Sequence, residues 1–91
     1  MEISVKIYYK NDKLRNLRQS NNMSQSQLAN AAGIPVRVLQ SYESGARDIS
    51  GAKLLTLLKL CMALNCKLQD IIPDSETVDM LTTYEKRKEK T

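Results

Sequence analysis

The sequence contains no histidine, tryptophan or phenylalanine, and its four aromatic residues are all tyrosines. Histidine is the most frequent general base and metal ligand, so the usual starting point of a catalytic or metal centre is missing. The two cysteines, Cys61 and Cys66, fit neither a C-x-x-C redox pair nor half of a zinc site. They are interpreted as small buried hydrophobic residues of a reducing compartment. An enzyme is the least favoured class, and neither metal nor cofactor is expected.

The chain also lacks a long hydrophobic run. Its longest apolar stretch lies in LLTLLKLCMAL, well short of the roughly 20 residues that span a bilayer. The N-terminal MEISVKIYYK alternates apolar and polar residues, which is not the pattern of a cleavable signal. A cytoplasmic protein without membrane association is expected.

Positive charge is concentrated before residue 73. Residues 1–72 contain ten Lys/Arg and five Asp/Glu, whereas residues 73–91 contain four and five. A surplus of this size is common on solvated surfaces, but it mildly favours an acidic partner such as nucleic acid.

Residues 1–10 are predicted to form an N-terminal strand or arm. Ile3, Val5, Ile7 and Tyr9 alternate with more polar positions, the period of a half-buried strand. A lone strand leaves its backbone unpaired, so this one needs the C-terminal segment or a second copy of the protein as its mate.

Residues 11–72 are predicted to form five short helices, bounded by helix caps and turn residues. Ser24 and Gln27 make a capping box, and Pro35 suits the first position of the third helix. The expected boundaries of the first three helices are Asn11 or Asp12, Asn21–Asn22, Ser24, Gly33, Pro35 and Gly45.

The fourth helix is predicted to run from Ser50 to about Leu64, and KLQDII gives a short fifth one before Pro73. The inward face of the fourth helix is expected to be Leu54, Leu57, Leu58, Cys61 and Leu64.

The remaining apolar residues raise the question of what covers them. Leu55 and Met62 flank the inward face of the fourth helix, where either an end segment covers them or a second copy does.

Residues 73–91 form a C-terminal segment with a charged tail. ETVDMLTTY within it is rich in β-formers, which favours a second strand, although Val78, Leu81 and Tyr84 are also spaced by three.

Four features within residues 23–45 suit a helix-turn-helix, in which an α-helix enters the major groove of DNA. Gly33 can form the tight turn, and Ala29 is small enough for the helix crossing. Leu39, with Val38 or Tyr42, can face the core, which leaves polar side chains on the outer face.

Residues 13–72 resemble the XRE-type helix-turn-helix family, the phage-repressor-like or lambda-repressor-like DNA-binding domains. The matching positions are Leu17-Arg18, Ser24-Gln25, Leu28-Ala29, Gly33 and Glu43-Ser44-Gly45. The chain departs from the family at Pro35 and Lys67, where a capping serine or threonine is common. The resemblance implies an all-α, five-helix domain, to which the N-terminal strand and the C-terminal segment are additions.

The resemblance also implies roles for individual residues. Residues expected to face the major groove are Val36, Arg37, Gln40 and Ser41. Residues expected to contact DNA phosphates are Ser24 and Gln25 on one side and Ser44, Arg47 and Lys53 on the other. Arg18 and Glu43 are expected to pair and to tie the first helix to the end of the third.

The resulting hypothesis is a sequence-specific transcriptional regulator, a homodimer on double-stranded DNA. Two alternatives share the fold. One is an antitoxin that inhibits a partner protein through an end segment. The other is a protein-interaction module that has lost DNA binding. This alternative is disfavoured by Arg37, Arg47 and the absence of acidic residues in 34–42.

Overall fold

The computed structural model describes Tyr9 and residues 11–89, and this part of the chain is helical with no strand. Its α-helices are α1 (Asp12–Ser20), α2 (Gln25–Ala32), α3 (Val36–Ser44), α4 (Leu54–Leu64) and α5 (Ser75–Glu89). Two 3₁₀ turns, Ile49–Gly51 and Leu68–Asp70, lie between them. No helix within the described range is both long and apolar enough to cross a membrane. The strand or arm predicted at residues 1–10 lies outside the described residues, apart from Tyr9.

The predicted helix boundaries around α1 and α2 are confirmed. The Asn11 side chain caps α1, and Asn22 adopts a left-handed conformation just after it. The Ser24 hydroxyl accepts a hydrogen bond from the Gln27 N–H at 3.0 Å, and the Gln27 amide oxygen accepts from the Ser24 N–H at 2.8 Å. Gly33 ends α2 with a φ of 70°, a conformation that costs glycine little because it has no Cβ.

The third helix begins one residue later than predicted. Pro35 precedes α3 with an extended backbone, φ −62° and ψ 139°, and supplies no side-chain cap. Its carbonyl accepts the hydrogen bonds from Val38 and Leu39 that open the helix. Gly45 ends α3 with a φ of 85°.

The prediction for the fourth helix was wrong at its start and in part of its inward face. Ser50 lies in a 3₁₀ turn, where its N–H donates to the Asp48 carboxylate, and the extended Ala52 separates that turn from α4. Leu54 and Leu58 are exposed, and Leu60 is fully buried in their place. The buried stripe of α4 consists of Leu57, Leu60, Cys61 and Leu64.

The C-terminal segment is a helix, and the strand predicted there was wrong. Asp74 precedes α5 and caps its N-terminus: its carboxylate accepts hydrogen bonds from the Thr77 N–H and hydroxyl, which lower the pKa of Asp74. Val78 and Leu81 are half-buried against the core. Their spacing of three was therefore the informative signal, and KLQDII forms only a 3₁₀ turn.

The core lies among α1, α2, α3 and α4, with α2 packed against both α3 and α4. Its largest fully buried side chains are Leu14, Leu28, Leu39, Ile49, Leu60 and Ile71. The Lys13 ammonium donates to the Gln69 and Ile72 carbonyls at 2.7 and 2.8 Å. These bonds tie α1 to the second 3₁₀ turn and to Ile72 just after it.

The cysteines lie at the C-terminal end of α4 and are not bonded to each other. The Cys66 N–H donates to the Cys61 carbonyl at 3.0 Å, and Asn65 between them adopts the left-handed conformation of a helix end. Burial raises the pKa of the Cys66 thiol to about 12 and also raises that of Cys61. Both thiols stay neutral near pH 7, as small hydrophobic side chains do.

Candidate nucleic-acid interface

Helix α3 has a buried face and an exposed face, in the arrangement that the helix-turn-helix pattern predicts. Leu39 is fully buried and Tyr42 is nearly so, whereas Arg37 and Gln40 are exposed. The turn before α3 is held by the Ile34 N–H, which donates to the Ala29 carbonyl at 3.0 Å, and Ala29 itself is buried. One side of α3 is thereby fixed to the core and the other is presented to solvent.

A buried ion pair fastens the C-terminal end of α3 to α1. The Arg18 guanidinium donates to both carboxylate oxygens of Glu43, at 2.7 and 2.9 Å, and also to the Met23 carbonyl at 2.8 Å. Arg18 is 9% exposed and Glu43 is 8% exposed. Hydrogen bonding to Glu43 raises the pKa of Arg18, so the guanidinium stays charged in the pair.

A chain of amide hydrogen bonds connects this ion pair to the exposed face of α3. The Gln25 amide donates to Glu43 Oε1 at 3.2 Å, and the Gln40 amide donates to Gln25 Oε1 at 3.3 Å. The hydrogen bond to Gln25 therefore fixes the orientation of the Gln40 side chain. Sequence reasoning placed Gln25 against phosphate and missed this contact, because its geometry depends on how α2 crosses α3.

The four residues predicted to face the major groove do not share one environment. Arg37 and Gln40 project outward, whereas Val36 is half-buried against the core. The Ser41 hydroxyl donates to the Val38 carbonyl at 2.6 Å, which turns it back toward its own helix. The long side chains on the exposed face are thus those of Arg37 and Gln40.

Two of the predicted phosphate contacts lie around one hollow between α3 and α4. Arg47 and Lys53 are both exposed and line it together with Tyr9, Tyr42 and Thr56. Asp48 also borders the hollow, but its carboxylate accepts the Ser50 N–H. This edge therefore offers two cationic side chains next to the end of α3.

Ser24 and Ser44, which are also predicted to contact phosphates, form hydrogen bonds with residues nearby in the sequence. Ser24 stands at the N-terminus of α2, where its hydroxyl caps the helix and can still donate a hydrogen bond outward. The Ser44 hydroxyl donates to the Ser41 carbonyl at 3.3 Å. The Tyr9 N–H donates to the Gly45 carbonyl at 2.8 Å, a contact at the C-terminal end of α3 that sequence reasoning missed.

These features define a helix-turn-helix protein. A protein-family model described as helix-turn-helix matches residues 14–71, and the chain belongs to this XRE-type helix-turn-helix family of DNA-binding domains. Among solved structures it is similar to the restriction-modification controller protein C.AhdI from Aeromonas hydrophila, at 30% sequence identity and a TM-score of 0.58. That match covers 65% of this chain and 85% of the controller protein. A comparison with curated proteins gives no match.

Proposed function

We propose that the protein is a non-enzymatic transcriptional regulator that reads a specific DNA sequence with α3. The observation that carries this proposal is the division of α3 into a face anchored by Leu39 and a face that presents Arg37 and Gln40. Residues 34–42 contain no acid, and the one acid of α3, Glu43, is neutralised in its ion pair. The similarity to a controller protein supports the same conclusion.

Each exposed residue has a role that fits its chemistry. The Arg37 guanidinium can donate two hydrogen bonds to a guanine, and the Gln40 amide can pair with an adenine. Val36 can contact a thymine methyl group, and Ser41 lies at the edge of the same face. Phosphate contacts, which position the protein without reading sequence, are assigned to Ser24, Gln25, Ser44, Arg47 and Lys53.

The regulator is proposed to act as a homodimer on a two-fold symmetric site. A single α3 contacts only a few base pairs, whereas two helices related by a two-fold axis read two half-sites. Exposed apolar side chains among the described residues support a second copy, including Leu55 and Met62 on α4 and Met80 and Tyr84 on α5.

The test is to measure binding to a selected DNA site and to random DNA over a range of salt concentrations, for the wild type and Arg37→Ala. The variant should lose about 1–3 kcal/mol of binding free energy on the selected site, because it loses a base contact. Its loss on random DNA should be smaller, since only a charge is removed.

Arg15→Ala is the matched control, because Arg15 is an exposed arginine of α1 in an ion pair with Asp12. It removes the same charge, so the preference for the selected site over random DNA should be unchanged. If Arg37→Ala also keeps the wild-type preference, α3 does not read the sequence through Arg37.

A further inference from the structure

The amide chain that runs from Glu43 through Gln25 to Gln40 has a direction, because its first member can only accept hydrogen bonds. Glu43 is ionised in its pair with Arg18, and an ionised carboxylate has no proton to donate. The Gln25 amide, 3.2 Å from Glu43 Oε1, must therefore point its NH2 group toward the carboxylate and its oxygen away from it. The opposite orientation would set two oxygens against each other.

The same reasoning fixes the orientation of the Gln40 amide. Gln25 Oε1 has no hydrogen, so the Gln40 group that lies 3.3 Å from it must be the NH2 group. A glutamine amide has two N–H donors and one acceptor oxygen, and the bond to Gln25 uses one of the donors of Gln40. One N–H and the oxygen of Gln40 therefore remain available on the exposed face of α3.

The groups that remain on Gln40 match adenine and not guanine. In the major groove adenine presents an acceptor, N7, beside a donor, its N6 amino group, so it needs one donor and one acceptor from the protein. Guanine presents two acceptors, N7 and O6, so it needs two donors. A glutamine with both N–H groups free can supply either set, whereas Gln40 bonded to Gln25 can supply only the set for adenine.

Reading guanine would require Gln40 to break its bond to Gln25. The Gln25 oxygen would then lose the donor that the protein provides, at a position that bound DNA covers, and a covered acceptor without a donor is unfavourable. A turn of the Gln25 amide would not repair this loss, since it would set the amide oxygen against the Glu43 carboxylate. The buried ion pair thereby limits what the exposed amide can read.

We propose that Gln25 is a positioning residue that makes Gln40 selective for adenine over guanine. Gln25 acts through Gln40 and does not itself need to touch a base. This inference rests on the proposed function, in which Gln40 faces the major groove. It adds which base is rejected at that position and which residue causes the rejection.

A phosphate contact by Gln25 is compatible with this role. Its NH2 group has two N–H donors, and the bond to Glu43 uses one of them. The other can donate to a DNA phosphate at the N-terminus of α2, next to Ser24. The two roles differ in what they affect, because a phosphate contact strengthens binding to every sequence, whereas the amide chain changes the ratio between two bases.

The first experiment finds the base pair that Gln40 reads. Selection of DNA sites with the wild type and with Gln40→Ala should give motifs that differ at one position of each half-site. The wild type should select adenine at that position, on one strand or the other, and the variant should lose this preference. Two duplexes that differ only by adenine or guanine at that position are then used for all binding measurements.

The second experiment measures the binding of Gln25→Met and of the wild type to the two duplexes. The wild type should prefer the adenine duplex by about tenfold or more, the discrimination that a good bidentate contact gives. Methionine keeps an unbranched side chain of similar length but forms neither hydrogen bond of the amide chain. Both N–H groups of Gln40 become free, so the preference should fall to about threefold or less.

Two controls separate the amide chain from general effects. Gln19→Met makes the same change at an exposed glutamine of α1, and it should keep the wild-type preference for adenine. In a Gln40→Ala background, Gln25→Met should leave the ratio between the two duplexes unchanged, because the residue through which it acts is missing. This ratio does not depend on the fraction of folded protein, so a variant of lower stability still reports it.

Three outcomes would overturn the proposal. If Gln25→Met weakens binding to both duplexes equally and keeps the wild-type ratio, Gln25 contacts only phosphate, and the proposed function stands. If the wild type selects guanine at the Gln40 position, the direction assigned to the amide chain is wrong. If Gln40→Ala changes no position of the motif, Gln40 does not read a base, and that part of the proposed function fails together with this inference.

Discussion

Replacing Glu43 with alanine is expected to lower the free energy of unfolding by about 3–5 kcal/mol. The change leaves the Arg18 guanidinium buried without its carboxylate partner, which is far more costly than losing both members of the pair. Gln25 loses a partner as well, so the amide chain that orients Gln40 is weakened. The measurement is urea unfolding followed by circular dichroism.

The chain provides two controls for the Glu43 variant. Arg15 and Asp12 form an ion pair of 3.2 Å on the surface of α1, and Asp12→Ala should cost less than about 1 kcal/mol because exposed pairs contribute little. The double variant Arg18→Met with Glu43→Leu should recover most of the stability that Glu43→Ala loses, since apolar side chains can fill the same space. Equal losses for Glu43→Ala and Asp12→Ala would show that the buried pair has no special role.

Replacing Leu39 with alanine is expected to cost about 2–5 kcal/mol of unfolding free energy. Leu39 is fully buried and anchors the middle of α3, so truncation leaves a cavity between the recognition helix and the core. A loss of this size is a large part of the total stability of a small domain. Specific DNA binding should fall with the fraction of folded protein and should return when the temperature is lowered.

Gln40, next to Leu39, allows the anchoring of α3 to the core to be tested separately from its recognition of DNA. Gln40→Ala should change stability by less than about 0.5 kcal/mol, since Gln40 is exposed, yet it should alter the preferred DNA sequence. A Leu39→Ala protein as stable as the wild type, or a Gln40→Ala protein with unchanged preference, would contradict the assigned faces of α3.

Local sequence signals predicted the first three helices well. Ser24 with Gln27, the glycines at 33 and 45 and the asparagines at 21–22 act within one helical turn, so their structural effect does not depend on the rest of the fold. Leu39 and Ala29 were identified from the spacing of residues in the helix-turn-helix pattern, and both are buried.

The predictions were wrong where one sequence pattern is compatible with several structures. Leu54 and Leu58 have helical spacing with Leu57 and Cys61, but only tertiary packing decides which side of a leucine-rich helix faces the core. In this helix the buried side includes Leu60 instead of Leu54 and Leu58. In residues 76–84 β-branched residues suggested a strand, yet the Asp74 cap and the packing of Val78 and Leu81 determine a helix. Propensity alone was the weaker signal.

The contacts between helices lay beyond sequence reasoning. The chain from Glu43 through Gln25 to Gln40 requires three side chains from two helices to meet at hydrogen-bonding distance. The exposed face of α5 likewise became visible only after the inner face of that helix was known. Periodicity reports which residues share a face, but it does not report what the face touches.

The central claim is that α3 reads a DNA sequence, and selection of bound fragments from a pool of random double-stranded DNA tests it most directly. The wild type is expected to enrich a single motif, with two related half-sites whose centres are about one helical turn apart. Arg37→Ala should lose the preference at one position of each half-site. A wild-type pool that remains random after repeated rounds of selection would contradict the claim.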